Sequence, residues 1–104
     1  MNWTTHERAT LQNLASFAMA DFGIREDQFF NRYSRGEVSR ARQTFVLVAT
    51  DNGFQKGKVA EFLKMNPSFI TQVRRRNYAH RTTTEYIHLT GVLHQMVGGL
   101  NEVK

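Results

Sequence analysis

Residues 59–76 read VAEFLKMNPSFITQVRRR. Apolar residues recur at helical spacing until the pattern breaks at Met65-Asn66. A second helical pattern starts on Asn66-Pro67 and ends on three arginines. Asparagine is a favoured N-cap, and proline suits the first helical position, where its missing N–H costs nothing. Two helices joined by so short a break cross closely. The first then needs a small residue at the crossing, and both need apolar residues beside the turn. Ala60 is the small residue, and Val59, Phe62 and Leu63 are core-facing on the first helix. Met65 plugs the turn, and Ile70 and Val73 face inward on the second helix. The pattern predicts a helix-turn-helix over about residues 55–80. Lys64 and Met65 stand where such a turn often holds a glycine.

The outward face of the second helix is then Ser68, Phe69, Thr71, Gln72, Arg75 and Arg76, with Asn66 at its start. The N-terminal end of such a helix enters a major groove. Ser and Thr hydroxyls pair with several bases, Gln binds adenine in bidentate fashion, and Arg forks onto guanine or holds a phosphate. Phe69 has two open roles, a stacking or wedging contact with DNA or packing within the fold. A plain helical hairpin would explain one or two arginines at a helix C-terminus through the dipole. It does not explain Arg74, Arg75, Arg76 and Arg81 together with Lys56, Lys58 and Lys64, and all of these are expected to contact DNA.

Charge is segregated along the chain. Residues 31–81 carry eleven Lys and Arg against Glu37, Asp51 and Glu61, a net +8, while residues 1–30 carry −2 and residues 82–104 carry −1. One basic zone in an otherwise mildly acidic chain is the footprint of a polyanion partner. A second basic cluster lies upstream: Arg32, Arg35, Arg40 and Arg42. Arg35-Gly36 reads as loop, from which an arginine reaches a minor groove. Arg40 and Arg42 are two apart and cannot share a helix face. For each of the four arginines two roles are open, a DNA or phosphate contact and a brace of the fold, the latter through a carboxylate for at least one of Arg40 and Arg42.

The remaining segments also read as helix. Thr4 and Glu7 form a capping box for a helix carrying Leu11, Leu14, Ala15, Ala18 and Phe22, stopped by Gly23. A short helix is expected within Ile24–Tyr33, then a break at 34–37. A third stripe, Val38, Ala41, Phe45, Val48 and Ala49, ends near Asn52-Gly53. TFVLVAT (44–50) has strand propensity but no partner strand or hairpin turn, so it is assigned to that helix. A second capping box, Thr82 to Glu85, opens a last helix interrupted by Gly98-Gly99. The expected fold is all-α: one domain over 1–104, a compact bundle of about six helices. There are no cysteines and no apolar run of membrane-spanning length. The N-terminus does not read as a signal peptide, so the expected location is cytoplasmic. The histidines lack metal-ligand spacing, and no nucleophile has an evident base partner. No cofactor, no metal and no enzyme activity are expected.

The order LQNLASFAMADFGIREDQFFNRYSRGEVSRARQTFVLVATDN, then KVAEFLKMNPSFITQVRRR and a last helix, resembles the C-terminal DNA-binding domain of the replication initiator DnaA. The similarity covers nearly the whole chain. Val38-Ser39-Arg40-Ala41-Arg42-Gln43 matches that family's Val-x-Arg-Pro-Arg-Gln-like run. The resemblance implies a Trp repressor-like all-α fold. It implies a basic-loop arginine in the minor groove, with Arg35 the best match and Arg32 the reserve. Asn66-Pro67-Ser68-Phe69 stands where that family carries Asp-His-Thr-Thr or similar. Ser68 is a conservative match, whereas Pro67 and Phe69 depart from it. The implied activity is duplex binding rather than reading of the family's own origin-box sequence. The chain carries no GxxxxGK[ST] loop, so the initiator's ATPase part has no counterpart here. The expected partner is double-stranded DNA, bound with some sequence preference by a transcriptional regulator or accessory replication factor. A homodimer through the last helix is one further expectation, and the rival is a module that grips or inhibits a partner protein.

Overall fold

The computed structural model describes residues 5–31, 35–76 and 83–101; the expected Thr4 cap lies outside them. Six helices follow one another: α1 (Thr5–Phe22), α2 (Glu26–Phe29), α3 (Glu37–Asp51), α4 (Lys56–Leu63), α5 (Pro67–Arg76) and α6 (Thr84–Asn101). No strand occurs among the described residues, so the bundle is all-α. None of these helices is long and apolar enough to cross a membrane.

Helix α3 is the axis of the bundle, and each of the other five packs against it. That placement explains TFVLVAT. A helix apolar all round is a helix buried all round. Thr44, Phe45, Val46, Leu47, Val48 and Ala49 are all buried in α3. Leu11, Leu14, Ala15 and Ala18 of α1 join the same core, as do Leu89 and Leu93 of α6. At one end Phe45 stacks on Phe62 at 5.6 Å, and Phe29 meets Phe45 edge-on at 5.5 Å. This aromatic cluster seats α2 and α4 on α3.

Three helices end in one motif. Ile24 N–H donates to Met19 O and Gly23 N–H to Ala20 O at the end of α1. Phe54 and Gly53 repeat the pattern after α3, with acceptors Ala49 and Thr50. Met65 and Lys64 repeat it after α4, with acceptors Ala60 and Glu61. These are Schellman closures, in which one residue takes a left-handed backbone and the next, apolar, residue packs inward. Ile24, Phe54 and Met65 all pack against the core. Gly23 (φ 65°) and Gly53 (φ 104°) fill the left-handed position in two of them, and Lys64 (φ 57°) fills it in the third. Lys64 thus stands at the glycine position of the α4–α5 turn. Lys64→Gly is expected to stabilise the fold by about 0.5–1 kcal/mol, read as a higher denaturant midpoint at unchanged slope.

The short helix expected within Ile24–Tyr33 is a single turn, Glu26–Phe29. Two details differ from the sequence expectation. The capping hydroxyl of α6 belongs to Thr83, which accepts from Tyr86 N–H at 3.2 Å, so the cap is one residue later than Thr82. Gly98-Gly99 do not interrupt α6, which runs on to Asn101. Glycine in a helix costs only about 1 kcal/mol relative to alanine, so a pair is tolerated without a break.

Candidate nucleic-acid interface

Helix α5 has two halves. At 100° per residue, Phe69, Ile70, Val73 and Arg74 fall on one side, and Ser68, Thr71, Gln72, Arg75 and Arg76 on the other. Ile70 and Val73 are buried, and Phe69 is half-buried against the core. Phe69 therefore packs within the fold at the edge of the inner half. Ser68, Thr71, Gln72, Arg75 and Arg76 are all exposed. Helix α5 is about 15 Å long, a match to a major groove some 12 Å wide.

The start of α5 is fixed by Asn66. Its Oδ1 accepts the Ser68 N–H at 2.9 Å, and its backbone carbonyl accepts the Phe69 N–H at 2.9 Å. Pro67 follows as first helical residue. This cap fixes the first turn of α5 and the direction in which the helix leaves the turn. Asn66→Ala is expected to cost about 1 kcal/mol of stability, measured by urea unfolding.

The basic residues divide by what they touch. Arg42 is buried, 3% exposed. Its Nε donates to Phe29 O at 3.0 Å and its Nη2 to Asn31 O at 2.5 Å. Burial lowers its guanidinium from the ordinary value, yet an arginine keeps its proton at neutral pH. The expected phosphate role for Arg42 is replaced by a structural one: it caps the carbonyl end of α2. Lys58 donates to Glu7 Oε2 at 2.5 Å, with its side chain 14% exposed, and ties α4 to α1. Arg74 donates to Thr50 Oγ1 and to Asp51 Oδ1, the latter at 2.7 Å. Lys58 and Arg74, too, are committed inside the fold, unlike the DNA contacts expected of them.

Arg40 pairs with Glu37 at 2.7 Å and lies over the Phe22 ring at 5.6 Å. The pair lies within α3 and at the surface, so Arg40 joins no second element through that carboxylate. Arg35, Lys56, Lys64, Arg75 and Arg76 are exposed and have no ion-pair partner among the described residues. Arg32 and Arg81 lie outside the described residues. Arg75 and Arg76 thus sit at the far end of the outer face of α5, and Lys64 lies in the turn before the helix.

A separate cleft of about 710 Å³ opens between α1, α2 and α4. Phe30 and Phe62 line it, under Glu26, Asp27, Glu61, Arg8 and Lys64. Arg25 bonds the Asp27 carboxyl and holds it below its usual pKa. Three carboxylates in one cleft disfavour a polyanion there. The outer face of α5 carries no carboxylate.

No known family model matches the chain, and neither a curated protein nor a solved structure does.

Proposed function

We propose that the chain binds double-stranded DNA with some sequence preference, with α4 and α5 acting as a helix-turn-helix and α5 as the reading helix. One observation carries this reading: α5 exposes Ser68, Thr71, Gln72, Arg75 and Arg76 on one side while Ile70 and Val73 bury the other. Hydroxyls, an amide and two guanidiniums at that spacing are base-edge and phosphate ligands. The Asn66 cap and the Lys64 turn hold that side at a fixed angle to α4. Arg35, exposed ahead of α3, is the second point of attachment. The resemblance to the DnaA DNA-binding domain supports the same reading. On it, the chain serves as a transcriptional regulator or accessory replication factor.

The test is anisotropy titration with a pooled random duplex at several salt concentrations, then sequencing of the bound fraction. Salt-steep binding with an enriched motif is the expected result. Salt-steep binding without a motif would reduce the reading to non-specific coating, and no binding at low salt would sink it.

A protein-interaction module is the second reading. Phe17 (44% exposed) and Ile87 (62% exposed) are large apolar side chains at the surface of α1 and α6. On this reading Ile87→Ser abolishes partner capture, while alanine at Arg75 and Arg76 leaves it unchanged.

A further inference from the structure

Beyond Val73, α5 has no apolar anchor. Ile70 and Val73 are the buried residues of this helix, and Arg74, Arg75 and Arg76 follow them. Arg74 alone of the three turns inward. Its Nη1 reaches Asp51 Oδ1 at 2.7 Å and also Thr50 Oγ1. Thr50 donates its own hydroxyl hydrogen to Val46 O at 2.8 Å, which leaves its oxygen lone pairs facing Arg74. Asp51 is the last residue of α3, and its other oxygen, Oδ2, accepts from the Tyr86 hydroxyl of α6 at 2.7 Å. The Asp51 side chain is 17% exposed and that of Arg74 32%. One carboxylate therefore ties the C-terminal turn of α5 to both α3 and α6.

We infer that Asp51 is a positioning residue for DNA reading: through Arg74 it fixes the rotation of α5 and so aims Thr71, Gln72 and Arg75 at the duplex. The inference rests on the DNA-binding reading above. Arg74 lies within one turn of all three, and a guanidinium held at two oxygens has little freedom to roll. Its charge is matched by Asp51, so it acts on the angle of the helix and not as a phosphate ligand. Misaiming of a base-reading helix affects specific binding, whereas non-specific binding depends on the count of cations.

The test compares Asp51→Asn with Arg74→Met in the full chain. The first frees a cation and the second removes it. Amide hydrogen exchange without DNA reports the clamp itself. The last-turn amides of α5 are expected to exchange roughly tenfold faster in both variants. On duplexes, both variants are expected to lose about tenfold in the ratio of selected to random binding. Unchanged exchange, or an unchanged ratio, overturns the inference. So does divergence of the two variants, with Asp51→Asn binding all duplexes more tightly and Arg74→Met more weakly, because Arg74 is then simply a DNA cation. Should both variants unfold, Thr50→Val removes only the second acceptor, and the same two readouts decide. Faster exchange in the variants, together with a wild-type chain that binds no duplex, would mark failure of the DNA reading itself, and the positioning role would fall with it.

Discussion

Alanine at both Arg75 and Arg76 is expected to weaken duplex binding on the order of 100-fold at moderate salt. Each arginine contact with a base or phosphate contributes about 1–3 kcal/mol, and two such losses multiply. The salt dependence separates the two roles. Each phosphate contact contributes about 0.9 to the slope of log affinity against log salt. If both arginines hold phosphates, the slope falls by about 1.8; if one reads a guanine, it falls by half that and specificity relaxes at one base pair. The fold itself is barely touched. Both side chains are exposed without an ion-pair partner among the described residues. Their loss removes only a favourable term with the α5 dipole, under about 1 kcal/mol. Thermal unfolding of the double variant should therefore overlay the parent within a few degrees. Undiminished affinity in a folded double variant would remove α5 as the reading helix.

Much of this arrangement is legible in the sequence because helical period fixes which side chains share a face. Ile70 and Val73 mark the inner side of α5 and so define the outer one. The same wheel puts Phe69 and Arg74 at the edges of the inner side, and periodicity applied to all ten residues identifies both. Charge run together as Arg74-Arg75-Arg76 hides that split. The left-handed turn at Lys64 is harder to read, because lysine has no preference for that backbone. The signal is indirect: an apolar Met65 one residue later repeats the Gly23-Ile24 and Gly53-Phe54 pairings. The inward roles of Lys58 and Arg74 depend on Glu7 and Asp51, 51 and 23 residues away in sequence. No local pattern reports such pairs. The shortness of α2 has a physical reason of the same kind: its end is set by a guanidinium arriving from α3.

That guanidinium belongs to Arg42, and Arg42→Met is expected to destabilise the fold by about 3 kcal/mol. Methionine retains most of the apolar stem, so packing changes little. What is lost is the donor pair serving Phe29 O and Asn31 O. Replacing a buried charge with an apolar group can be neutral when its partner is replaced as well. Here the partners are backbone carbonyls, which stay behind. A stranded buried carbonyl costs roughly 1–3 kcal/mol. In a chain of this size the loss corresponds to a drop in Tm of about 15 °C. Arg42→Lys should fall between, because one ammonium cannot reproduce the planar fork that reaches two carbonyls. The measurement also distinguishes the structural role from a DNA-contact role for the same residue. A phosphate-binding arginine at the surface would leave Tm unchanged and lower the salt slope by about 0.9. A buried clamp lowers Tm and leaves the slope unchanged at temperatures where the variant is folded. With the residue 3% exposed and two of its nitrogens bonded to carbonyls, Arg42 is assigned the second outcome.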